Sequence, residues 1–378
     1  MSVINRWMRT LLYQDVDRAP NTEFGFWQET IREWKPQGLP DDLPEDLFDR
    51  RLKLYFDMDV PPTVDIVFKL DMNPPYTVEI LEEDENTRVE RGENGVVLRH
   101  FTDQPDENIV PQFISFPVSN MDDFKRMRDE HFRLDDPART IDPAIWDEVR
   151  RKLQNPECMV QCRVGSIYGW PRDWMGMEHL AIAFYEQPEL VEAMMDLVVD
   201  LALHGLKQMP DDIPIHYATW WEDMCFKNGP LISPKLFKEF MLPRYKTVMA
   251  EVAKHDCQLS EVDSDGNITE LAPLWLEAGI NVMMPCEVTG NTDIFQLRKD
   301  HGREMRFTGG IDKMELTKDE KAIDAEIDRV APLVADGGFI PHLDHTVPPV
   351  VPLDNFWYYM RRKQRMLEEV KPWSKESE

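Results

Sequence analysis

Residues 258–266, QLSEVDSDG, followed by 268–279, ITELAPLWLEAG, decide the reading of this chain. The first stretch reads as a strand that runs into an Asp-Gly turn, and the second as a helix that stops at glycine. Working outward, the same alternation repeats. IPIHYATWWEDM (213–224) and SPKLFKEFMLPRYKTVMAEVAKH (233–255) precede it; INVMMPCEV (280–288), DIFQLRKDHG (293–302), MRFTGGID (305–312), DEKAIDAEIDRVAPLVADG (319–337), GFIPHLDH (338–345) and LDNFWYYMRRKQRMLEEV (353–370) follow it. Upstream, CMVQCRVGSIYGW (158–170) is a strand, and 177–209 holds long helices broken at Pro188. Strands separated by helices of this length pair in parallel through right-handed crossovers. Six such units, with further strands expected near residues 24 and 66, make the eight that close a (β/α)₈ TIM barrel. An open doubly wound sheet is the rival, but no Gly-rich phosphate loop follows the first strand.

The expected organisation is one domain over residues 1–378. N-terminal helices come first, a small antiparallel β insertion covers about 64–118, and a frayed tail covers 370–378. The insertion is read from short alternating runs such as YTVEILEE and VVLRHF, with ENG between two of them as a hairpin signal.

The 71 acidic residues outnumber 43 basic ones, leaving a formal charge of −28. That field repels nucleic acid and anionic membrane surfaces. No apolar run approaches the ~20 residues of a membrane span. The five cysteines are odd in number and unevenly spaced, which points to reduced thiols and a cytoplasmic setting rather than a disulfide framework.

In a parallel barrel, chemistry sits after the strands. The strand ends here carry Trp220, Glu222 and Asp223, then Asp263 and Asp265, then Cys286 and Glu287, then Asp312, then Asp344 and His345. Any one of these acids has an ordinary explanation as a turn residue or helix cap. Acids at so many equivalent ends do not. Asp263 and Asp265 are two apart on extended chain and face one side, and with His345 they offer oxygen and imidazole ligands to a divalent metal. The tryptophans near the same ends suit a flat or aromatic small-molecule substrate, or else a packed rim.

Four segments, NGPLISPKLFKEFMLPRYK (228–246), VDSDGNI (262–268), FTGGID (307–312) and GGFIPHLDHTVPPVVPLDN (337–355), resemble the uroporphyrinogen-decarboxylase superfamily. The likeness runs from about Arg18 to the final helix and is strongest after Asp223. It implies a TIM barrel with either decarboxylase or corrinoid-dependent methyltransferase chemistry, and it admits a homodimer. The decarboxylase branch grips substrate carboxylates with arginines soon after an Arg-x-Pro. Here Arg18-Ala19-Pro20 is followed by Glu23, and only Arg32 comes later. The histidine of that branch's Gly-His-Gly motif is kept as His345. The zinc-binding His-x-Cys pair and later Cys of the methyltransferase branch fall on Asp263, Asp265 and His345. The resemblance therefore leans toward a methyltransferase that passes a methyl group from a small O- or N-methylated substrate to a corrinoid partner protein. Its implied cofactor is a divalent metal, with zinc expected, on Asp263, Asp265 and His345. Glu222, Glu287 and His345 are the expected catalytic groups, and Glu23, Trp220, Tyr168 and Asp312 the expected substrate contacts. A metal-free decarboxylase and a non-catalytic ligand- or corrinoid-binding barrel are the alternatives.

Overall fold

The computed structural model describes residues 1–46, 48–101, 111–156 and 158–377. Its strands in chain order are β1 (Thr63–Ile66), β2 (Glu79–Glu83), β3 (Thr87–Arg91), β4 (Val97–Phe101), β5 (Gln112–Ser115), β6 (Met159–Gly165), β7 (Tyr217–Trp221), β8 (Cys225–Phe226), β9 (Gly229–Pro230), β10 (Leu259–Asp263), β11 (Val282–Met284), β12 (Arg306–Ile311) and β13 (Phe339–Leu343). Seven of them form one parallel sheet in the order β1-β6-β7-β10-β11-β12-β13. Helices follow the strands and cover the sheet, giving the expected (β/α)₈ TIM-barrel class. The antiparallel insertion is the four-stranded sheet β2-β3-β4-β5; the part of that expectation on residues 102–110 lies outside the described residues.

The strand expected near residue 24 is reduced to one parallel bridge between Phe26 and Val347. The reason is where its backbone groups go. Asn21 O accepts from Asp59 N at 2.7 Å, and Asn21 N donates to the Asp59 carboxylate at 2.8 Å. A loop therefore takes hydrogen bonds that a ladder would need. Packing holds the segment instead. Phe26, Trp34, Phe56 and Phe356 are buried with ring centroids 4.8–5.7 Å apart, and each such side chain contributes roughly 1.5–3 kcal/mol by burial.

The bottom of the barrel is plugged. Ile4 and Leu11 of the first helix (Val3–Leu11) pack with Met159, Tyr217, Leu259, Val282 and Ile340. These five strand residues fix which side chains point inward, because positions two apart share a face. Above them the inward set is Gln161 and Arg163, Thr219 and Trp221, Glu261 and Asp263, and Met284. The lumen is thus apolar at its base and polar toward its mouth. Asp263 is level with Trp221 on one side and Met284 on the other. Gly309, at φ +101°, lets β12 pass against this wall, since a Cβ there would lie 1.8 Å from the Pro285 carbonyl oxygen.

The tail is docked rather than frayed over its described part. Trp373 N donates to Ala335 O at 2.8 Å and Lys375 N to Tyr13 O at 2.9 Å. Among the described residues no helix is long and apolar enough to cross a membrane.

Candidate functional site

A cavity of about 750 Å³ opens at the C-terminal ends of the strands. Phe24, Trp27, Phe48, Trp221 and Met284 supply its apolar wall, and Arg163, Asp223, Glu261, Asp263, Asp265 and His345 its charged groups. Oxygen atoms from Asp223, Asp263 and Asp265 lie within 4.8 Å of one another. His345 Nε2 is 3.5 Å from Asp265 Oδ2.

Local backbone chemistry builds this cluster. Asp263 O accepts from Glu222 N at 2.8 Å, joining the ends of β7 and β10. Asp223 follows in the left-handed region at φ 44°, which Asp tolerates better than most residues. Ser264 is tied on both sides, donating its N–H to Met284 O at 3.0 Å and accepting Met224 N–H on its hydroxyl at 3.2 Å. Gly266, at φ +77°, lets the turn lie against β8, where a Cβ would come 2.6 Å from Cys225 O. Asp265 is therefore held over Asp263 by a pinned turn. His345 is seated by rings, parallel to Trp27 at 5.8 Å and edge-on to Phe24 at 5.6 Å, with Nδ1 2.7 Å from Thr346 Oγ1.

The electrostatics are those of an acid cluster without a fixed cation. Burial, then the charges of Asp223 and Asp265, holds the Asp263 carboxyl well above the usual carboxylate range. Burial, then Asp265, pushes Asp223 up to about 6. Glu261, deeper in the lumen, is raised to about 7 by burial, although hydroxyls of Tyr217 (2.7 Å) and Thr308 (3.2 Å) donate to it. Burial opposes charge on His345, but its contact with Asp265 and that carboxylate's charge prevail and raise its pKa. Among the described residues no Lys, Arg or His forms an ion pair with the Asp223 or Asp263 carboxylate within 4.0 Å; Arg172 donates instead to the Asp223 main-chain carbonyl at 2.5 Å.

The three carboxylates at this spacing fit a divalent cation, with the His345 imidazole beside Asp265 at the edge of the group. Cation binding would neutralise groups that otherwise resist ionising together. Among the described residues no cysteine joins the cluster, so the donors are oxygen-rich, a set that suits harder ions as well as zinc.

A family model of uroporphyrinogen decarboxylase (URO-D) matches residues 103–365. The chain belongs to that family. No curated protein matches it. Among solved structures it is similar to a methyltransferase from Methanosarcina mazei, with 15% identity and a TM-score of 0.55, over 97% of this chain and 99% of that one. A protein described as a candidate vitamin-B12-independent methionine synthase from Listeria monocytogenes aligns over 61% of this chain and 70% of that one, with 13% identity and a TM-score of 0.32. The first likeness shows the shared fold; the second is too weak to argue from.

Within this URO-D barrel the sequence-predicted residues divide sharply. Asp263, Asp265 and His345 converge at the cavity. Glu222 does not. It is fully buried, and its carboxylate accepts N–H groups of Ile167, Tyr168 and Gly169 (2.8, 2.8 and 3.3 Å) and the Ser166 hydroxyl (3.1 Å). It anchors the loop after β6, and its neighbour Asp223 is the acid at the mouth. Glu287 faces an adjoining cavity of about 360 Å³ that shares Asp223 and Asp265. There it accepts Gly266 N–H at 2.9 Å and lies 3.2 Å from Lys313 Nζ.

Glu23 does not line the cavity. It is buried in an ion pair with Lys363 and also accepts Leu343 N–H and the Tyr359 hydroxyl (2.8 and 2.7 Å). Phe24 beside it meets the cavity. Trp220 borders the cavity, but its ring packs edge-on against Tyr245 at 4.9 Å; the lumen side of β7 belongs to Thr219 and Trp221. Tyr168 is fully buried in the core. Asp312 caps the turn Lys313–Thr317 through Met314 N–H at 2.8 Å. Asp344 is likewise an anchor, accepting the N–H groups of Val288 (2.9 Å) and Lys313 (3.1 Å). Asp223, named among the strand-end acids but given no role, joins the site, and the groups missing from the sequence-based reading are Glu261 and Arg163. The last two were open to detection, because alternation along β10 and β6 places them on the same face as Asp263 and Gln161.

Proposed function

We propose that this chain is a metal-dependent methyltransferase that moves a methyl group from a small O- or N-methylated substrate to the reduced corrinoid of a partner protein. One observation carries the reading: three carboxylates and an imidazole, without a fixed cation among them, gather in a substrate-sized cavity at the barrel mouth. Asp223, Asp263, Asp265 and His345 are the groups that would hold the metal. A divalent cation held there supplies Lewis acidity toward the oxygen or nitrogen that bears the methyl group.

The protein's own groups do the rest. Phe24, Trp27, Trp221 and Met284 flank a flat substrate and keep water from it. Glu261, raised to about 7, carries a proton near neutrality and replaces Glu222 and Glu287 as the acid. When the carbon–heteroatom bond breaks, the heteroatom keeps the bonding pair and takes that proton. The reduced corrinoid contributes the electron pair that forms the new bond to methyl.

The decarboxylation of a polycarboxylate fits less well. The cavity holds four carboxylates against one arginine. Arg18, beside the Arg-x-Pro, is tied to Asp59 at 2.6 Å, and Arg32 to Glu45 at 2.8 Å.

The test is to strip the purified protein with EDTA, reload it with zinc or manganese, and measure bound metal by elemental analysis. The loaded protein is then mixed with a Co(I) corrinoid protein and a panel of methoxylated aromatics and methylamines. Stoichiometric metal and metal-dependent methylation of the corrinoid are expected. Protein that never retains metal, or a panel that never methylates the corrinoid, refutes the proposal.

A further inference from the structure

We infer that the ligand of this cavity is a monocarboxylate and that Arg163 receives its anionic end. The inference takes the cavity as the substrate site, as above, but does not depend on methyl transfer.

Arg163 lies on β6 two residues beyond Gln161, with its side chain in the lumen. It borders both the main cavity and a side cavity of about 240 Å³ that runs along β1, so it stands at their junction. It is exposed, and among the described residues it makes no hydrogen bond and no ion pair within 4.0 Å. Elsewhere in this acid-rich chain several arginines are held by carboxylates. Arg150 holds Asp212 at 2.7 Å, Arg244 holds Asp196 at 2.8 Å and Arg362 holds Asp324 at 3.0 Å. Arg163 senses Asp263 and Asp173 but touches neither. Lys69, the other cation lining the side cavity, is occupied by the carbonyls of Ala138 and Thr140 (2.9 and 3.1 Å). An accessible guanidinium, unpaired beside four carboxylates, is a receptor for an anion that comes from outside.

The surroundings narrow the class. The guanidinium carbon lies 5.9 Å from the Trp170 ring, leaving a planar fork beside an aromatic surface. That geometry matches a carboxylate attached to a flat group. One arginine among four acids suits a single negative charge better than a phosphate dianion. The strand register sets the separation of the two backbones. Arg163 is level with Thr219, and Thr219 with Glu261. Two strand spacings therefore separate Arg163 from Glu261 along the sheet, roughly 10 Å.

The test uses the full chain and two probes of equal shape, 3-methoxybenzoate and 3-methoxybenzamide, with benzoate and phenylacetate as further carboxylates. Binding is followed by titration calorimetry with and without zinc. Wild type should bind the benzoate about tenfold or more tighter than the amide, the effect of one charge-assisted contact. Arg163→Met should abolish that preference and Arg163→Lys should keep part of it, both with unchanged melting temperature. Equal affinity of wild type for acid and amide overturns the inference, as does a preference that survives in Arg163→Met. Failure of every carboxylate to bind at millimolar concentration overturns it too. Arg163-dependent carboxylate binding without any corrinoid methylation refutes the proposed reaction and leaves this inference standing. Corrinoid methylation by a wild type that binds acid and amide equally does the reverse.

Discussion

Asp223→Asn should make the metal-free protein more stable, although it removes a proposed ligand. Asp223 crowds Asp263 and Asp265 within 4.8 Å, and in the metal-free fold burial and then Asp265 push its carboxyl from 3.8 up to about 6. A carboxyl raised by folding is harder to ionise in the native state than in the unfolded one. Between those two values the native protein binds the extra proton, so stability falls as pH rises through that window. Below 3.8 the cost is absent; above about 6 it is fully present. The gap of 2.2 tenfold steps, at 1.36 kcal/mol each, gives about 3 kcal/mol at pH 7.5. Residual water at this half-buried group reduces that, so about 1–3 kcal/mol is the expected gain from a neutral amide of the same shape. The assay is urea unfolding by tryptophan fluorescence after EDTA treatment, at about pH 7.5 and about pH 4. The variant should lead at the higher pH and converge with wild type at the lower. Zinc or manganese at a hundred times its dissociation constant should then stabilise wild type by about 2.7 kcal/mol and the variant by much less, reversing the order. A variant less stable than wild type in EDTA at about pH 7.5 would refute the electrostatic argument. Equal stabilisation of both proteins by metal would remove Asp223 from the ligand set.

Three further outcomes follow from where the other side chains sit. His345→Ala should lower metal affinity at least about tenfold by equilibrium dialysis while leaving the metal-free melting temperature within a few degrees. Glu222→Ala strands three buried N–H groups and the Ser166 hydroxyl and should cost on the order of 3 kcal/mol in urea unfolding. Its folded fraction should still bind metal, a result that a ligand role for Glu222 does not predict. Glu23→Ala leaves the Lys363 ammonium buried without its partner and should cost about 3–5 kcal/mol. Adding Lys363→Met should recover part of that loss, and a double variant no better than the single one would contradict the ion-pair reading.

The repeating strand–helix units were legible because each strand is a short apolar run ending in Asp, Glu or Gly, and local patterns of that kind survive folding. The segment near residue 24 has the same texture yet forms one bridge, because its partners are distant. Asp59 takes the backbone of Asn21, and Lys363 takes the carboxylate of Glu23 across 340 positions of chain. No local pattern announces either contact. The same distinction divides the acids at the barrel mouth. Asp263 and Asp265 were legible as a pair because a spacing of two on extended chain puts both on one side. The same alternation continues the lumen face of Thr219 and Trp221 to Asp223, but nothing local announces that Glu222 anchors the loop after β6. A strand-end carboxylate belongs to the site or to the scaffold according to what occupies its lone pairs. Those of Glu222, Asp344 and Asp312 accept backbone N–H groups and hold loops in place. The carboxylates of Asp223 and Asp263 are left facing one another, and only a cation or a proton can satisfy both at once. Composition marks where acids accumulate; the hydrogen bonds formed on folding decide which of them remain free for chemistry.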